Sequence, residues 1–177
     1  MISTTAQRHE GFDQWIHQIN QICGAFNAQP LGSEFAGRIR EYQSDALKLS
    51  FVDVCQARLY RTPQEVAVGE GGKYFAVFQL DGTAGMAQGD DKVLLSPGDI
   101  TLIDASRPSD FTYGENSRQL SLILPYQLVE QTLRFNPVKC GHRIAASSPI
   151  AMLSHRLILG PEARASGCQS FGPTFTR

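Results

Sequence analysis

The side chains best suited to catalysis form no recognised catalytic pattern in this sequence. Cys140 and His142 are near neighbours, but the glycine between them favours a flexible loop, and an inert thiol is the better interpretation. Asp90 and Asp91 follow Gly89 at a predicted hairpin tip, where adjacent carboxylates are usually solvated turn residues. The sequence contains no G-x-S-x-G segment that would present a serine nucleophile. These residue types therefore predict no hydrolase.

Metal chemistry is also disfavoured. No histidine occurs between residues 24 and 141, and imidazole is the usual ligand of catalytic first-row metals. The cysteines lie far apart and form no C-x-x-C pair: Cys23, Cys55, Cys140 and Cys168. We therefore expect structural thiols, no bound metal and no cofactor.

Short strand-like runs separated by turn residues fill the middle of the chain. They cover residues 74–80, 83–88, 92–95, 100–104, 110–113 and 118–124. In the turn Pro97–Gly98–Asp99, proline fixes the first central torsion and glycine can supply the positive φ of a type II turn. Gly82 marks another reversal. Closely spaced strands with short turns predict an antiparallel barrel or sandwich.

Alternation along these strands selects the side chains that would line the barrel. Two parities are possible for the first of these strands, and one of them turns the even-numbered residues from Tyr74 to Leu80 inward. We favour the parity that turns four others inward: Phe75, Val77, Gln79 and Asp81. Apolar walls with a few polar groups are what a ligand pocket in a barrel needs.

Other residues in the strand region have two interpretations each. Phe111 and Tyr113 share one face of a strand and form either a wall for an aromatic ligand or ordinary core. Asp81 either recognises the amine of an arylalkylamine or serves as a hairpin residue before Gly82. Arg107 either pairs with Asp104 across a tight turn or reaches toward a ligand carboxylate or carbonyl.

Helical periodicity flanks the strand region on both sides. An apolar stripe from Phe12 to Phe26, including Trp15, predicts an N-terminal helix docked on the core. Residues 128–133 fit a second helix, and Ser148 caps a third, which would pack with it as an antiparallel pair. The apolar side chains of that pair suit a dimer interface or docking on the barrel: Leu128, Leu133, Ile150, Leu153 and Leu157.

The composition limits the class of protein. The 177 residues are 42% hydrophobic, which suffices for one domain of about 150 residues with extensions. The formal net charge of −1 gives no global attraction to nucleic acid or to an anionic membrane. No apolar run approaches the roughly 18 residues that span a bilayer, and the N-terminus lacks a secretion signal. We expect a cytoplasmic protein without a membrane partner.

The turn landmarks of the strand region resemble those of a cupin, a small jelly-roll barrel. Three segments further resemble the sensor domain of AraC/XylS-family transcription activators: Phe78–Gly82, Pro97–Pro108 and Leu120–Pro125. Within that family, the sequence is similar to activators of phenylethylamine and tyramine breakdown, and three segments carry this similarity: Gln14–Gly24, Asp104–Pro108 and Ser154–Leu157. The resemblance covers about residues 12–157.

This resemblance implies a function as well as a fold. The expected fold is mainly β, a cupin-like jelly-roll barrel with an N-terminal helix and a C-terminal antiparallel helix pair. The barrel would bind a small aromatic effector, such as an aromatic amine or the derived aldehyde, and the chain would form a homodimer. Family members contact DNA through a C-terminal domain with two helix-turn-helix modules, which we do not find in this sequence.

The same resemblance divides the chain into segments. A helical segment, 1–27, precedes a sensor barrel, 28–125, which is followed by a dimerisation or linker region, 126–159, and an irregular tail, 160–177. Two alternatives stay open. A metal-free cupin enzyme, such as a sugar isomerase or epimerase, would need an acid and a base in the barrel, for example Asp53 with Tyr113. A pure interaction domain would have a filled barrel without a ligand-sized cavity.

Overall fold

The computed structural model describes residues 4–44, 47–69, 72–133 and 138–160. The helices within these ranges are α1 (Thr4–Cys23), α2 (Pro63–Val68), α3 (Tyr126–Thr132) and α4 (Pro149–Leu159). The strands are β1 (Asn27–Pro30), β2 (Ala36–Ser44), β3 (Leu47–Cys55), β4 (Ala57–Arg61), β5 (Lys73–Asp81), β6 (Ala84–Gln88), β7 (Asp91–Leu95), β8 (Ile100–Asp104), β9 (Ser109–Tyr113), β10 (Ser117–Pro125) and β11 (Arg143–Ile144). The irregular tail expected at residues 160–177 lies outside the described residues, apart from Gly160.

The strands form two sheets in which every pair of neighbours is antiparallel. The first sheet has the order β1-β4-β9-β6-β7, and the second has the order β11-β8-β5-β10-β3-β2. Neighbours that are distant in sequence, such as β5 and β10, are typical of a jelly roll, in which the chain crosses repeatedly between two sheets. The prediction of a mainly β, cupin-like jelly roll with flanking helices is confirmed.

The apolar core lies between the two sheets. Alternation turns Phe75 and Val77 of β5 toward Phe111 and Tyr113 of β9, which belongs to the other sheet, and all four are buried. The opposite side of the second sheet carries a separate apolar cluster that includes Phe78. The second sheet is therefore covered on both faces, which explains why β5 and β10 read as nearly continuous apolar runs.

Helix α1 packs on the barrel through the stripe that contains Trp15, which is 1% exposed. The Trp15 ring lies 5.9 Å from the Phe12 ring and 5.3 Å from the Phe35 ring, centroid to centroid. An ideal Cβ on Gly37 of β2 would lie 2.9 Å from the indole and 2.4 Å from the Phe35 ring. Only glycine at position 37 therefore allows this close contact between α1 and the sheet.

The turn Pro97–Gly98–Asp99 fixes the chain between β7 and β8. Gly98 has a φ of +92°, and its amide donates to the Gln79 carbonyl oxygen at 2.8 Å. The buried carboxylate of Asp99 accepts from the backbone amides of Ser96 and Ala146, both at 2.9 Å. This one carboxylate thus ties the turn to the segment that leads into α4.

Helix α4 starts at the predicted position, and α3 starts at Tyr126, two residues before the predicted range. The Ser148 hydroxyl caps α4 by accepting from the Ala151 amide at 3.2 Å. Ala151 and Ile158 pack on the outer apolar cluster of the second sheet, whereas α3 follows β10 without a break. Because Ala151 is small and fully buried, α4 can pack closely on the strands of the second sheet.

The apolar side chains considered for a dimer interface all lie on the surface. They are between 40% and 84% exposed: Leu128, Leu133, Ile150, Leu153 and Leu157. The predicted stripe on α4 therefore faces solvent, and the opposite face of the helix is the one that docks on the sheet.

The sequence does not predict several of the short or edge elements. Strand β2 lies at the edge of its sheet, where Ile39 is its one buried apolar side chain, so its sequence shows no apolar alternation. Strand β1 has only four residues. Helix α2 is short, but Thr62 and Glu65 form a capping box and Pro63 occupies the first turn, which is a signal that sequence inspection can find.

Candidate functional site

A small cavity of about 30 Å³ lies inside the barrel. That volume holds about one water molecule, so the interior is nearly filled by side chains. The parity favoured from the sequence is the one observed, since Phe75 and Val77 line the cavity and Gln79 is buried on the same face. Other lining residues come from α1, both sheets and the segment between α1 and β1: Ile19, Cys23, Phe26, Val52, Leu59, Phe111, Tyr113, Gln119 and Ser121.

Four aromatic rings contribute to the wall of this interior cavity. The rings of Phe111 and Tyr113 are nearly parallel, with an interplanar angle of 7° and centroids 6.2 Å apart. The rings of Phe26 and Phe75 lie 6.1 Å apart on another side. Burial raises the pKa of the Tyr113 hydroxyl, so this wall stays neutral. Such surfaces suit a flat, apolar ring.

The polar end of the interior is a closed hydrogen-bond network around Gln79. Its Nε2 donates to the carbonyl oxygen of Asp81 at 2.7 Å and to the Ser117 hydroxyl at 2.9 Å. Its Oε1 accepts from Gln119 Nε2 at 2.7 Å. Both amide hydrogens of Gln79 are therefore used, which holds β5 and β10 in register where the pairing of these strands is irregular.

The inward face of β4 ends in a charged residue, Arg61, which is 3% exposed. Its guanidinium lies over the Phe26 ring, with Cζ 5.1 Å from the centroid. Nε and Nη1 are buried and have no hydrogen-bond partner. Burial lowers the pKa of this guanidinium, and the nearby Glu65 carboxylate opposes that shift. Sequence inspection missed Arg61, although Ala57, Leu59 and Arg61 alternate toward one face.

Two further groups occupy the same end of the barrel. The Lys73 ammonium lies over the Phe75 ring, with Nζ 5.9 Å from the centroid. The Cys23 thiol lies 3.8 Å from the Ser50 hydroxyl, and burial raises its pKa to about 11. The thiol is therefore neutral at physiological pH.

Asp81 differs from the other three residues of its predicted set. It ends β5, its side chain is 62% exposed, and its carboxylate lies 3.6 Å from Nη1 of Arg118. Gly82 follows with a φ of +64°, as the turn requires. The expectation that Asp81 faces inward is wrong, because the strand pairing shifts register at Arg118 and the chain reverses there.

Arg107 and Asp104 form a backbone turn in which the Arg107 amide donates to the Asp104 carbonyl oxygen at 3.2 Å. The Asp104 carboxylate accepts from the Ser106 amide at 2.8 Å and from the Tyr126 hydroxyl. Burial and this hydrogen bond raise the pKa of Tyr126 to about 12. The Arg107 guanidinium lies beside Gly89, at which a Cβ would approach its Nη2 to 2.8 Å. Neither Arg107 nor Asp104 lines the interior cavity.

A larger, open groove of about 670 Å³ lies outside the barrel, between the second sheet and α4. Its charged lining residues include Arg40, Asp81 and Arg118. Asp53, on the outer face of β3, accepts from Arg118 Nε at 2.6 Å and lies 3.5 Å from Nη2 of Arg40. Because these charges pair with one another at a solvated surface, the groove shows less sign of a missing ligand than the barrel end does.

A family profile described as the AraC-binding-like domain matches residues 15–168, from within α1 to beyond α4. The chain belongs to the AraC-binding-like domain family. The solved structure of the AraC-like transcriptional activator CuxR is similar to this AraC-binding-like domain, with a TM-score of 0.75 and 12% sequence identity. The similarity covers 89% of this chain and 58% of CuxR, and it shows a shared fold.

Other similarities of the AraC-binding-like domain are weaker. An uncharacterised protein in the nit 5′ region of Bacillus sp. (strain OxB-1) is 23% identical over 129 residues, which are 72% of this chain and 50% of that protein. A cupin domain of an XRE-family regulator from Enterobacter cloacae is 16% identical and has a TM-score of 0.43 over 50% of this chain and 96% of that one. The chain thus spans about half the length of its curated relative.

The structure also bears on the catalytic alternatives for this AraC-binding-like domain. Asp53 lies on the outer face of the second sheet and Tyr113 faces the interior from the first sheet, so the acid–base pair considered for an isomerase is separated by the sheet. Among the described residues, no group of three or more His, Cys, Asp or Glu side chains is placed to hold a metal ion.

None of the described helices combines the length and the apolar character needed to cross a membrane.

Proposed function

We propose that this chain is the effector-sensing domain of an AraC-type transcription regulator that acts in the cytoplasm. The observation that carries the proposal is the aromatic wall that both sheets contribute around the interior cavity. At about 30 Å³ this cavity is as small as a pure interaction domain would require, so the proposal depends on its enlargement when a ligand binds. Family membership over residues 15–168 supports it. DNA contact is assigned to a C-terminal helix-turn-helix domain of the regulator, outside the described residues.

The proposed effector is a small aromatic compound. Within the family, the sequence resembles FeaR, the activator of phenylethylamine and tyramine breakdown in enteric bacteria, which favours an aromatic amine or the aldehyde derived from it. We propose that its ring contacts Phe75, Val77, Phe111 and Tyr113, with Gln79 supporting the site from behind. Asp81 could bind the amine of the effector only at the rim of the barrel, since its carboxylate faces solvent.

The cavity must enlarge to admit such a ring, because about 30 Å³ is far below the volume of roughly 300 Å³ or more that is usual for ligand pockets. The movable wall is α1 with the segment after it, since Ile19, Cys23 and Phe26 line the cavity from that side. Trp15, the single tryptophan of the sequence, is buried on the same helix. Effector binding is therefore expected to change the fluorescence of Trp15.

A thermal-shift screen of phenylethylamine, tyramine, their aldehydes and the corresponding acids tests this proposal. A ligand that binds only the folded state at 100 times its Kd adds about 2.7 kcal/mol to stability, so at least one compound is expected to raise Tm by several degrees. The same compound should change Trp15 emission at matching concentrations. Unchanged Tm and emission with every aromatic compound would contradict the proposal.

The proposed homodimer uses the exposed apolar faces of α3 and α4. The exposed leucines and isoleucine on these helices form the surface: Leu128, Leu133, Ile150, Leu153 and Leu157. Several exposed apolar side chains grouped on one surface are typical of a protein interface. Resemblance to the AraC/XylS family supports this use.

A further inference from the structure

The buried guanidinium of Arg61 is the least satisfied charged group among the described residues. It is 3% exposed, and both Nε and Nη1 are shielded from solvent without a hydrogen-bond partner. Taking a charge out of water is costly unless a counter-charge and hydrogen bonds compensate it. The described residues leave two N–H groups of the Arg61 guanidinium without an acceptor, and a bound ligand could supply one.

No described neighbour of Arg61 accepts a hydrogen bond from Nε or Nη1, although the Glu65 carboxylate lies near enough to oppose the fall in the pKa of the guanidinium. The Glu65 carboxylate is held by the Thr62 amide at 2.7 Å, as part of the capping box of α2. The Cys23 thiol is neutral, and Tyr126 donates its hydroxyl to Asp104. Lys73 adds a second positive charge beside the Phe75 ring. The described residues that line the cavity include no carboxylate.

We infer that the effector carries a carboxylate, which binds Nε and Nη1 of Arg61 while its aromatic ring enters the slot that Phe26 fills in this structure. This inference rests on the proposed sensing function and replaces the aromatic amine or aldehyde proposed there by an aromatic acid. The two N–H groups of a guanidinium edge match the two oxygens of a carboxylate, so one anion would satisfy both donors.

Phe26 marks where the ring of the effector would lie. Its side chain lies beneath the Arg61 guanidinium at 5.1 Å and beside the Phe75 ring at 6.1 Å. Its backbone is held by Asn20, whose side chain accepts from the Phe26 amide at 2.8 Å and donates to its carbonyl oxygen at 3.1 Å. Displacement of Phe26 therefore breaks local bonds to α1, which couples the slot to that helix.

The positive charge of Arg61 ranks the candidate effectors by their expected affinity. A protonated arylalkylamine would meet the buried Arg61 guanidinium and be repelled. The neutral aldehyde accepts hydrogen bonds from Arg61 but leaves its charge unbalanced. An arylacetic acid supplies both hydrogen-bond acceptors and the counter-charge. It is the compound class that we assign to the site.

Titration calorimetry on the full chain with phenylacetate, phenylethylamine and acetate tests the inference. Wild type is expected to bind phenylacetate at least 10-fold more tightly than phenylethylamine, and to bind acetate weakly because it has no ring. Arg61→Met should lower phenylacetate affinity at least 10-fold. Arg58→Met is the matched control, because Arg58 lies on the same strand, faces outward and pairs with Asp110. Its phenylacetate affinity should equal that of wild type.

Two further measurements keep the test decisive. Arg61→Met should raise the Tm of the ligand-free protein, since it removes an uncompensated buried charge, whereas a purely structural arginine would lower Tm when replaced. Phe26→Ala should open the slot and strengthen phenylacetate binding, and adding Arg61→Met to this variant should reverse the gain.

Equal or tighter binding of phenylethylamine, or phenylacetate binding that Arg61→Met does not weaken, would overturn the carboxylate assignment and leave the proposed sensing function standing. Failure of every aromatic compound to bind wild type and Phe26→Ala would overturn both. Acetate binding as tight as that of phenylacetate would show a simple anion site and overturn the assignment of an aromatic acid.

Discussion

At the scale of single residues, burial controls which groups of this protein can ionise. Burial raises the pKa of the Cys23 thiol from 9.0 to about 11, and it also raises the pKa of Tyr113 from its usual value of 10.0. Tyr126 is shifted to about 12 by partial burial and by Asp104. In each case the folded protein holds a proton that the unfolded chain loses at lower pH. Cys23 and Tyr126 therefore carry no negative charge at physiological pH that could compensate Arg61.

The raised pKa values predict a loss of stability in alkaline solution. Between pH 9 and 11 the unfolded chain binds fewer protons than the folded chain, so the free energy of unfolding falls as pH rises through this window. The shift at Cys23 alone sets an upper bound of about 3 kcal/mol. Cys23→Ala should therefore lose less stability than wild type between pH 8 and pH 10.5, measured by urea unfolding.

The control for this pH series is Cys55→Ala, a substitution of a cysteine that is only partly buried. Its stability should decline with pH as steeply as that of wild type. The same steep decline in Cys23→Ala would show that Cys23 does not contribute, and the account of the buried thiol would then be wrong.

At the scale of elements, strand alternation and turn residues account for most of what could be predicted. Glycine turns and apolar runs locate β5 through β10, because short antiparallel strands carry their pattern locally. Edge strand β2 has too little burial to show a pattern, and Gln56, with a φ of +48°, separates β3 from β4 within one apolar run. Backbone irregularities of this kind depend on tertiary contacts.

Some residues of the candidate site can likewise be predicted from the sequence, whereas others depend on tertiary contacts. Parity places Phe75 and Val77 inside the barrel, but parity fails at Asp81, where the register of β5 against β10 shifts. Arg61 lies at an inward position of β4, yet residue type alone predicts a solvent-exposed arginine. Only the packing of α1 and α2 against the end of β4 shows that this charge is buried.

The turn at Gly98 predicts a measurable difference between two glycine substitutions. Gly98 and Gly72 have similar positive φ values of +92° and +88°, so alanine at either position incurs similar backbone strain of about 1 kcal/mol. A Cβ at Gly98 would also lie 2.7 Å from the Cβ of Ala146, whereas a Cβ at Gly72 meets nothing within 4 Å. Gly98→Ala should therefore destabilise by about 1 to 3 kcal/mol more than Gly72→Ala.

Chemical denaturation of both variants measures this difference. The comparison isolates the contact between the turn and the segment before α4, because the backbone strain is common to the two glycines. Equal stability of the two variants would show that the turn does not pack on Ala146 as described.

At the scale of the whole molecule, the two helices after the barrel leave apolar side chains in solvent, of which Leu157 is 84% exposed. Paired copies would bury these side chains, and each fully buried leucine contributes about 1.5 to 3 kcal/mol. Leu153→Glu with Leu157→Glu should therefore convert a dimer to a monomer. Its Tm should equal that of wild type at concentrations too low for dimerisation, since neither side chain is buried in one chain. Sedimentation velocity at high micromolar concentration measures the change.

The control for the dimer variant is Leu94→Glu, which alters an equally exposed leucine on β7, distant from α4 in sequence. It should leave the oligomeric state as in wild type. A wild-type protein that sediments only as a monomer at these concentrations would contradict the proposed dimer.

A crystal structure of the chain with phenylacetate would show whether an aromatic effector binds inside the barrel. We predict that the ring lies between Phe75 and Phe111, with Phe26 displaced and the carboxylate within hydrogen-bond distance of Arg61. A ligand bound in the outer groove beside Arg118, with an interior as tightly filled as before, would contradict this prediction.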